Sequence, residues 1–249
     1  MKGFLYLIPV PIESKSEARE QNNFQHTRNK VLPEYNHSVV KNIRHFVVEN
    51  IRSARRFLKS VDKDFNIDSC TFFELNEHSD FKNLSPIIKI LENGADVALV
   101  SESGCPAIAD PGAALVASAH KNRIRVVPLV GPASMILSLM ASGFCGQNFS
   151  FVGYLPAKSG ERAKKLRQLE SRLNSEKQTQ IFIEAPYRNL QVFETMINTL
   201  NKNTCLCIAS NITSEDEFIC SKTIEQWKKE PPPNIQKVPT IFAIGFFQD

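Results

Sequence analysis

Residues 101–112, with the sequence SESGCPAIADPG, have the composition of a loop that binds a ligand through its backbone. The loop follows residues 97–100, a short and continuously apolar run typical of a strand covered on both faces. Ligands of open α/β sheets bind beyond the carboxyl ends of such strands, where small residues let backbone amides and carbonyls approach closely. Many loops contain Gly, Ser and Pro for turn formation alone, so this segment by itself leaves both interpretations open.

Alternating strands and helices must position this loop, and they predict an α/β fold with a mostly parallel sheet in the first half. Strands are predicted there at 4–8, 44–48, 71–75, 95–100 and 124–129, and in the second half at 149–155, 180–184, 204–209, 218–223 and 240–244. We expect two αβα domains that meet near Leu129, one over residues 1–129 and one with a mixed sheet over residues 130–249.

Helix signals separate these strands. Asp110 is predicted to cap a helix that has Pro111 at its first position, and Gly94 is predicted to end a helix that begins at Ser85. Further helices are predicted at 135–140 and 189–200.

Composition excludes several classes of protein. The chain has 249 residues and a net charge of only +4, so it is no general polyanion binder. No apolar run approaches the roughly 18–20 residues of a membrane helix, and the apolar start has only the length of a strand. We therefore expect a cytoplasmic protein without a membrane segment. The 6 cysteines form no CxxC pair, which favours buried thiols over a metal site.

Four segments give the chain a family resemblance. In order they read IPVPIE, VSESGCPAIADPG, IRVVPLVGPAS and GYLPAK, and together they extend over most of the chain. In this respect the sequence resembles the tetrapyrrole methylase superfamily of S-adenosylmethionine-dependent methyltransferases. It is most similar to the branch that methylates the ribose 2′-oxygen of a cytidine in small-subunit ribosomal RNA.

The resemblance implies an S-adenosylmethionine site in a cleft between two αβα domains, and a homodimer. By position it assigns cofactor contacts to the first-loop prolines, to the loop after residue 100, and to small or polar residues in the second half. These residues are Pro9, Pro11, Ser101, Glu102, Ser103, Gly104, Cys105, Pro106, Ile108, Ala133, Ser134, Glu184, Pro239 and Thr240.

The same resemblance places the acceptor chemistry at two polar segments. Glu49 and Arg52 match an AEDTR-like motif, and Glu77 and His78 lie at the position of an HDHNE-like motif. A ribose hydroxyl is a poor nucleophile at neutral pH, so a carboxylate or imidazole that removes its proton assists the transfer. His78 fits a base, a phosphate contact and an ordinary surface residue equally.

Several residues depart from the branch pattern in these segments. Asn50 replaces an Asp, Asn76 replaces a His, and Ile183 replaces a Tyr before Glu184. In addition, the polar stretch between Ile12 and Ile43 lacks the usual Gly-Asn-Leu turn. Cofactor binding is thus better supported than any particular acceptor.

Two basic clusters are compatible with RNA binding. The first lies at helical spacing after the second strand and the second follows GYLPAK. They consist of Arg52, Arg55, Arg56 and Lys59, and of Lys158, Arg162, Lys164, Lys165, Arg167 and Arg172. Such faces can hold phosphates, although solvated helix surface is the simpler interpretation.

The sequence therefore favours a methyltransferase that uses S-adenosylmethionine and acts on a ribose hydroxyl of ribosomal RNA. Methylation of a tetrapyrrole ring carbon is one alternative. A protein that binds the cofactor or RNA without catalysis is another, because the altered acceptor motifs are compatible with a loss of transfer.

Overall fold

The computed structural model describes residues 1–12, 30–76 and 84–247. Within these ranges the chain forms two compact units, residues 1–12 with 30–132 and residues 133–247. Each unit is built on its own five-stranded sheet. Among the helices of the described ranges, none combines the length and the hydropathy needed to cross a lipid bilayer.

The first unit contains a parallel sheet in the order β3-β2-β4-β1-β5. Its strands are β1 (Leu5–Ile8), β2 (His45–Val48), β3 (Thr71–Glu74), β4 (Val97–Val100) and β5 (Val126–Pro128). Its helices are α1 (Glu34–Asn42), α2 (Ile51–Val61), α3 (Ser85–Glu92) and α4 (Ala113–Lys121), with a 3-10 turn at Ile67–Ser69.

Alternate residues of the central strands face two different cores. On β4, Ala98 and Val100 pack with residues of α1 and α2, whereas Val97 and Leu99 pack with residues of α3 and α4. Every residue of β4 is buried as a result. This two-sided burial is why β4 is continuously apolar in the sequence.

The second unit contains a mixed sheet in the order β6-β7-β10-β8-β9, in which only β6 and β7 pair in parallel. Its strands are β6 (Phe149–Tyr154), β7 (Thr179–Ile183), β8 (Cys205–Ser210), β9 (Phe218–Thr223) and β10 (Thr240–Gly245). Its helices are α5 (Ser134–Ser142), α6 (Ser159–Glu176), α7 (Asn189–Thr199) and α8 (Ile224–Trp227), with a 3-10 turn at Pro186–Arg188.

Helices cover both faces of this second sheet. Phe182 and Phe242 stack on each other at 5.8 Å in a core that they share with residues of α6, α7 and α8. On the opposite face, Ile181 and Ala243 pack with Leu139 of α5. The predicted fold class, with a parallel and a mixed sheet, is confirmed.

The predicted strands are all present, and their ends differ from the prediction by at most two residues. The predicted cap at Asp110 is wrong, because α4 begins only at Ala113 after Gly112. The Asp110 carboxylate instead accepts hydrogen bonds from the N–H groups of Ala107 and Gly112. It closes a turn before the helix, and this local structure competes with helix initiation.

Candidate functional site

The loop after β4 is joined to the loop after β1 by a pair of backbone hydrogen bonds. The Val10 N–H donates to the Gly104 carbonyl over 3.0 Å, and the Gly104 N–H donates to the Val10 carbonyl over 3.1 Å. The buried Ser101 hydroxyl donates to the same Gly104 carbonyl at 2.7 Å. Because β1 and β4 are adjacent and parallel, both loops leave the same edge of the sheet.

The loop after β5 packs closely against these two loops at glycines. A Cβ on Gly131 would lie only 2.3 Å from the Cβ of Pro9. Gly104 has a φ of +70°, and a Cβ there would lie 3.1 Å from the Pro132 carbonyl oxygen. The Cys105 thiol donates to that oxygen at 3.4 Å. The three loops therefore pack closely at Gly104 and Gly131, because neither residue has a side chain to separate them.

Asp110 holds the second half of the β4 loop in a strained shape. Its carboxylate accepts from the Ala107 N–H at 2.9 Å, and its burial raises the pKa of Asp110. Ala107 and Ala109 have φ values of 64° and 58°, a conformation that costs an L-residue about 1–2 kcal/mol. The turn between them leaves the Ile108 side chain 48% exposed, so an apolar contact is available at the loop surface.

Two glutamates meet at the same edge of the sheet. Val48 of β2 pairs with Val100 of β4, so Glu49 leaves its strand beside the β4 loop. A Glu49 carboxylate oxygen accepts a long hydrogen bond, 3.4 Å, from the Glu102 N–H. The Glu102 carboxylate in turn accepts from the Ser53 hydroxyl at 2.5 Å.

This setting changes the acidity of Glu49. Burial raises the pKa of Glu49, and the carboxylates of Asp110 and Glu102 add to that increase. The hydrogen bond from the Glu102 N–H acts in the opposite direction and is outweighed. A carboxylate with a raised pKa binds a proton more readily than an ordinary one, which suits a general base.

The predicted Arg52 lies in the first turn of α2. Asn50 caps this helix, and its side-chain oxygen accepts from the Arg52 N–H at 2.8 Å and from the Ser53 N–H at 3.3 Å. The Arg52 side chain is exposed. The cap therefore fixes the backbone position of Arg52, which lies three residues after Glu49. The other two predicted acceptor residues, Glu77 and His78, lie outside the described residues.

A second polar cluster lies in the second unit, where β7 ends and β10 begins. Ile183 pairs with Ile241, so Glu184, which follows β7, lies beside Thr240, the first residue of β10. The buried Glu184 forms an ion pair with Arg188. The Asn189 amide donates to the Val238 carbonyl at 2.7 Å and to the Thr240 hydroxyl at 3.1 Å.

Two buried oxygens of this cluster have no hydrogen-bond partner among the described residues. They are Oε2 of Glu184 and Oδ1 of Asn189. A buried polar atom without a partner costs free energy, so these acceptors are suited to a donor that the protein itself does not provide.

The predicted cofactor residues thus fall into two groups. The first unit brings together Pro9, Pro11, Ser101, Glu102, Ser103, Gly104, Cys105, Pro106 and Ile108, and the second unit contains Ala133, Ser134, Glu184, Pro239 and Thr240. In the first group, Ser103 is exposed and Pro106 is buried. In the second group, Ser134 opens α5 and the Pro239 carbonyl accepts from the Asn211 N–H at 3.1 Å.

Comparison with known proteins decides the family. Residues 43–228 match the family model described as Tetrapyrrole (Corrin/Porphyrin) Methylases. The chain belongs to this family. Tetrapyrrole methylases are methyltransferases, and the resemblance seen in the four sequence segments is confirmed.

Bacterial tetrapyrrole methylases are similar along most of the chain. A protein of Buchnera aphidicola subsp. Schizaphis graminum named "Ribosomal RNA small subunit methyltransferase I" is 31% identical over 99% of this chain and 80% of its own length. A protein of Escherichia coli O157:H7 with the same name is 30% identical over 92% of this chain and 73% of its own length.

A solved structure shares the fold. The crystal structure of the methyltransferase CobJ superposes with a TM-score of 0.60, at 13% sequence identity, over 98% of this chain and 94% of that one. At this identity the match establishes the fold of the chain and nothing about its acceptor.

Membership of the tetrapyrrole methylases implies a methyl-donor cofactor. In the first unit, the exposed Ile108 side chain of the β4 loop fits an apolar contact with such a group. The unpartnered acceptor oxygens of Glu184 and Asn189 fit a ligand that carries hydrogen-bond donors.

Several residues of these sites were missed in the sequence. Arg188 lies four residues after Glu184, a spacing that predicts an ion pair in a helical turn. Ser53 and Asn189 carry no such signal, because their partners Glu102 and Thr240 are distant in sequence. Only the folded chain brings them together.

One residue of the second basic cluster has a structural role. Arg162 is only 3% exposed on α6, where it donates to the Thr195 hydroxyl at 3.1 Å and to the Ala157 carbonyl at 3.0 Å. The prediction that Arg162 belongs to an RNA-binding surface is wrong. The side chain satisfies buried groups between helices and does not reach a surface on which a phosphate could bind.

Proposed function

We propose that this tetrapyrrole methylase transfers a methyl group from S-adenosylmethionine to a ribose 2′-hydroxyl of ribosomal RNA. The observation that carries the proposal is the edge of the first sheet, where backbone-lined loops lie beside Glu49 and its raised pKa. The names of the similar bacterial proteins support ribosomal RNA as the acceptor.

The loops after β1, β4 and β5 are the proposed cofactor contacts in the first unit. Their amides and carbonyls position a ligand without solvating a cation strongly, which suits a positive charge that disappears during the reaction. S-adenosylmethionine supplies a methyl group bonded to a positively charged sulfur. In the second unit the proposed contacts are Glu184 and the main chain at 133–134 and 239–240.

Glu49 is the proposed proton acceptor. Bound S-adenosylmethionine would supply the methyl group, and the Glu49 carboxylate would take the proton that the attacking hydroxyl releases. Its raised pKa makes this carboxylate a better base, and the Glu102 N–H orients one of its oxygens. Arg52 is proposed to hold a phosphate of the acceptor strand next to this carboxylate, and Glu77 and His78 stay predictions.

Cofactor binding is tested by calorimetry with S-adenosylmethionine and S-adenosylhomocysteine. Gly104→Arg places a long side chain on a residue with a φ of +70°, 3.1 Å from the Pro132 carbonyl at its Cβ, so saturable binding is expected in the natural chain and not in this variant. Gly146→Arg is a matched control, because a Cβ there meets nothing within 4 Å.

Transfer is tested with labelled methyl groups and purified small ribosomal subunits. Label on a ribose 2′-oxygen supports the proposal, and label on a tetrapyrrole would replace ribosomal RNA as the acceptor. Tight cofactor binding without transfer to either would indicate a binding protein, and the absence of binding would contradict the whole proposal. The cleft between the domains and the homodimer stay predictions from the resemblance, and the cytoplasmic location stays a prediction from the composition.

A further inference from the structure

Helix α2 has one buried face and one strongly basic face. Ala54, Phe57, Leu58 and Val61 are buried in the core, whereas the basic side chains at positions 52, 55, 56 and 59 are exposed. We call Arg52, Arg55, Arg56 and Lys59 the α2 basic face. Their spacing of three, four and seven residues places them on one side of a helix over about 10 Å.

Acidic groups neutralise the α2 basic face only weakly. The helix Ile51–Val61 contains no Asp or Glu, and the four basic side chains form no ion pair within the described part of the chain. Asp62, which ends the helix, pairs with Lys41 at 3.2 Å, and its charge also interacts with Lys59, which helps to lower the pKa of Asp62. A surface with several cations and few neutralising partners attracts a polyanion.

Two contacts orient cations on this face. The Arg55 guanidinium lies over the Phe72 ring of β3, with its carbon 5.5 Å from the ring centre. The Lys59 ammonium donates to the Lys63 carbonyl at 3.0 Å. Both groups keep further N–H donors for a ligand, and ordering them in advance reduces the entropy lost on binding.

The basic cluster on α6 is different. Arg162 is buried, Lys158 pairs with Glu161 at 3.5 Å, and Glu170 and Glu176 lie on the same helix. The remaining cations of α6 therefore share their helix with three carboxylates. Of the two basic clusters, only that of α2 lies on a helix without a carboxylate.

We propose that the α2 basic face binds consecutive backbone phosphates of the RNA acceptor. This inference rests on the proposed function, and it assigns RNA binding to α2 rather than to α6. The face begins at Arg52, three residues after Glu49. An RNA strand bound along this face therefore lies beside Glu49, the proposed proton acceptor. Phosphates position a strand without reading its sequence, and the identity of the nucleotide must be read elsewhere.

The test measures the affinity of the full chain for a fluorescent single-stranded oligocytidine over a range of salt concentrations, without methyl donor. The variant Arg56→Gln with Lys59→Gln removes two charges and leaves Arg52 and the Arg55–Phe72 contact intact. We expect about tenfold weaker binding at low salt and a salt slope smaller by about 1.4, the value for two phosphate contacts on a single strand.

The matched control is Lys164→Gln with Lys165→Gln on α6, which removes the same charge. It is expected to bind RNA almost as the natural chain does, and Arg56→Lys should retain most of the affinity because it keeps the charge. Unchanged binding by the α2 variant, or an equal loss in the α6 control, would overturn the inference. A natural chain that binds no RNA would also overturn it.

The RNA-binding test can fail or succeed independently of the proposed methyl transfer. The α2 variant and the control should both bind S-adenosylhomocysteine as the natural chain does, which shows that they are folded. If the natural chain binds RNA through α2 and transfers no methyl group, the proposed reaction fails and the RNA surface stands.

Discussion

The surroundings of the Glu49 carboxyl group disfavour its ionisation. Burial and the carboxylates of Asp110 and Glu102 raise the pKa of Glu49, and only the long hydrogen bond from the Glu102 N–H opposes them. The folded chain thus tolerates an unfavourable charge at this residue. Unfavourable groups of this kind concentrate at functional sites, where the chemistry requires them.

Replacing Glu49 should reduce methyl transfer more than cofactor binding. We expect Glu49→Gln to lower the transfer rate by roughly 10²-fold to 10⁴-fold, the usual contribution of a general base. The rate of the natural chain should fall as the pH drops through the raised pKa of Glu49, and the variant should lack this step. Glu194→Gln, at an exposed position on α7, is the control and should transfer at the natural rate.

The same substitution should stabilise the fold at neutral pH. Because the pKa of Glu49 is raised on folding, the folded chain binds its proton more tightly, and stability is lost as the pH rises from the unfolded pKa through the folded one. Thermal unfolding of Glu49→Gln and of the natural chain should therefore differ little below about pH 4 and diverge towards pH 7. A difference that does not change with pH would contradict this account of Glu49.

At the scale of elements, the first site is made by loops that follow parallel strands. Val10 and Gly104 join two of these loops through their backbones, and Gly131 lets the third approach Pro9. None of the three loops is held in this shape by its own residues alone. The site therefore depends on contacts between loops that are far apart in the sequence.

A methyl group at Gly131 should disturb this arrangement. The Cβ of Gly131→Ala would lie 2.3 Å from Pro9, whose ring cannot rotate away, so we expect a loss of about 1–3 kcal/mol in the free energy of unfolding. Affinity for S-adenosylhomocysteine should fall as well. Denaturant unfolding and calorimetry measure both, and Gly146→Ala, where a Cβ meets nothing within 4 Å, should change neither.

At the scale of the whole molecule, each unit buries both faces of its own sheet. In the second sheet, this burial changes the acidity of a cysteine thiol. Cys205 and Cys207 point to one face of β8, where they are 4% and 0% exposed among residues of α5, β7 and β10. Burial raises the pKa of Cys207 to about 11, so its thiol is almost entirely protonated at neutral pH.

Thiol labelling should report this burial. All 6 cysteines are free, and with a thiol reagent at pH 8 we expect Cys70, Cys105, Cys145 and Cys220 to react before the two buried thiols. Peptide mass spectrometry during the reaction identifies the order, and the unfolded chain, in which all thiols are accessible, is the control. Early labelling of Cys207 would be incompatible with the packing of α5 on the second sheet.

Local pattern alone was sufficient to predict the strands. Short apolar runs such as 97–100 indicate strands because a sheet covered on both faces buries every residue of its central strands. Ordered motifs were also sufficient for the family, since four segments in the same order rarely coincide by chance. The predicted cap at Asp110 was wrong because its carboxylate accepts hydrogen bonds from two backbone N–H groups before the helix, one on each side of it in the sequence.

The sequence by itself determined the element order and the family, and it predicted the loops of the proposed site. Only the tertiary structure decided which side chains lie together and which basic side chain is buried. Glu49 and Glu102 are 53 positions apart and meet because β2 and β4 are neighbours, an order that no local pattern encodes. Arg162 follows the spacing of a surface cation, yet it is buried because α7 packs over it, and burial depends on what a fold places opposite each residue.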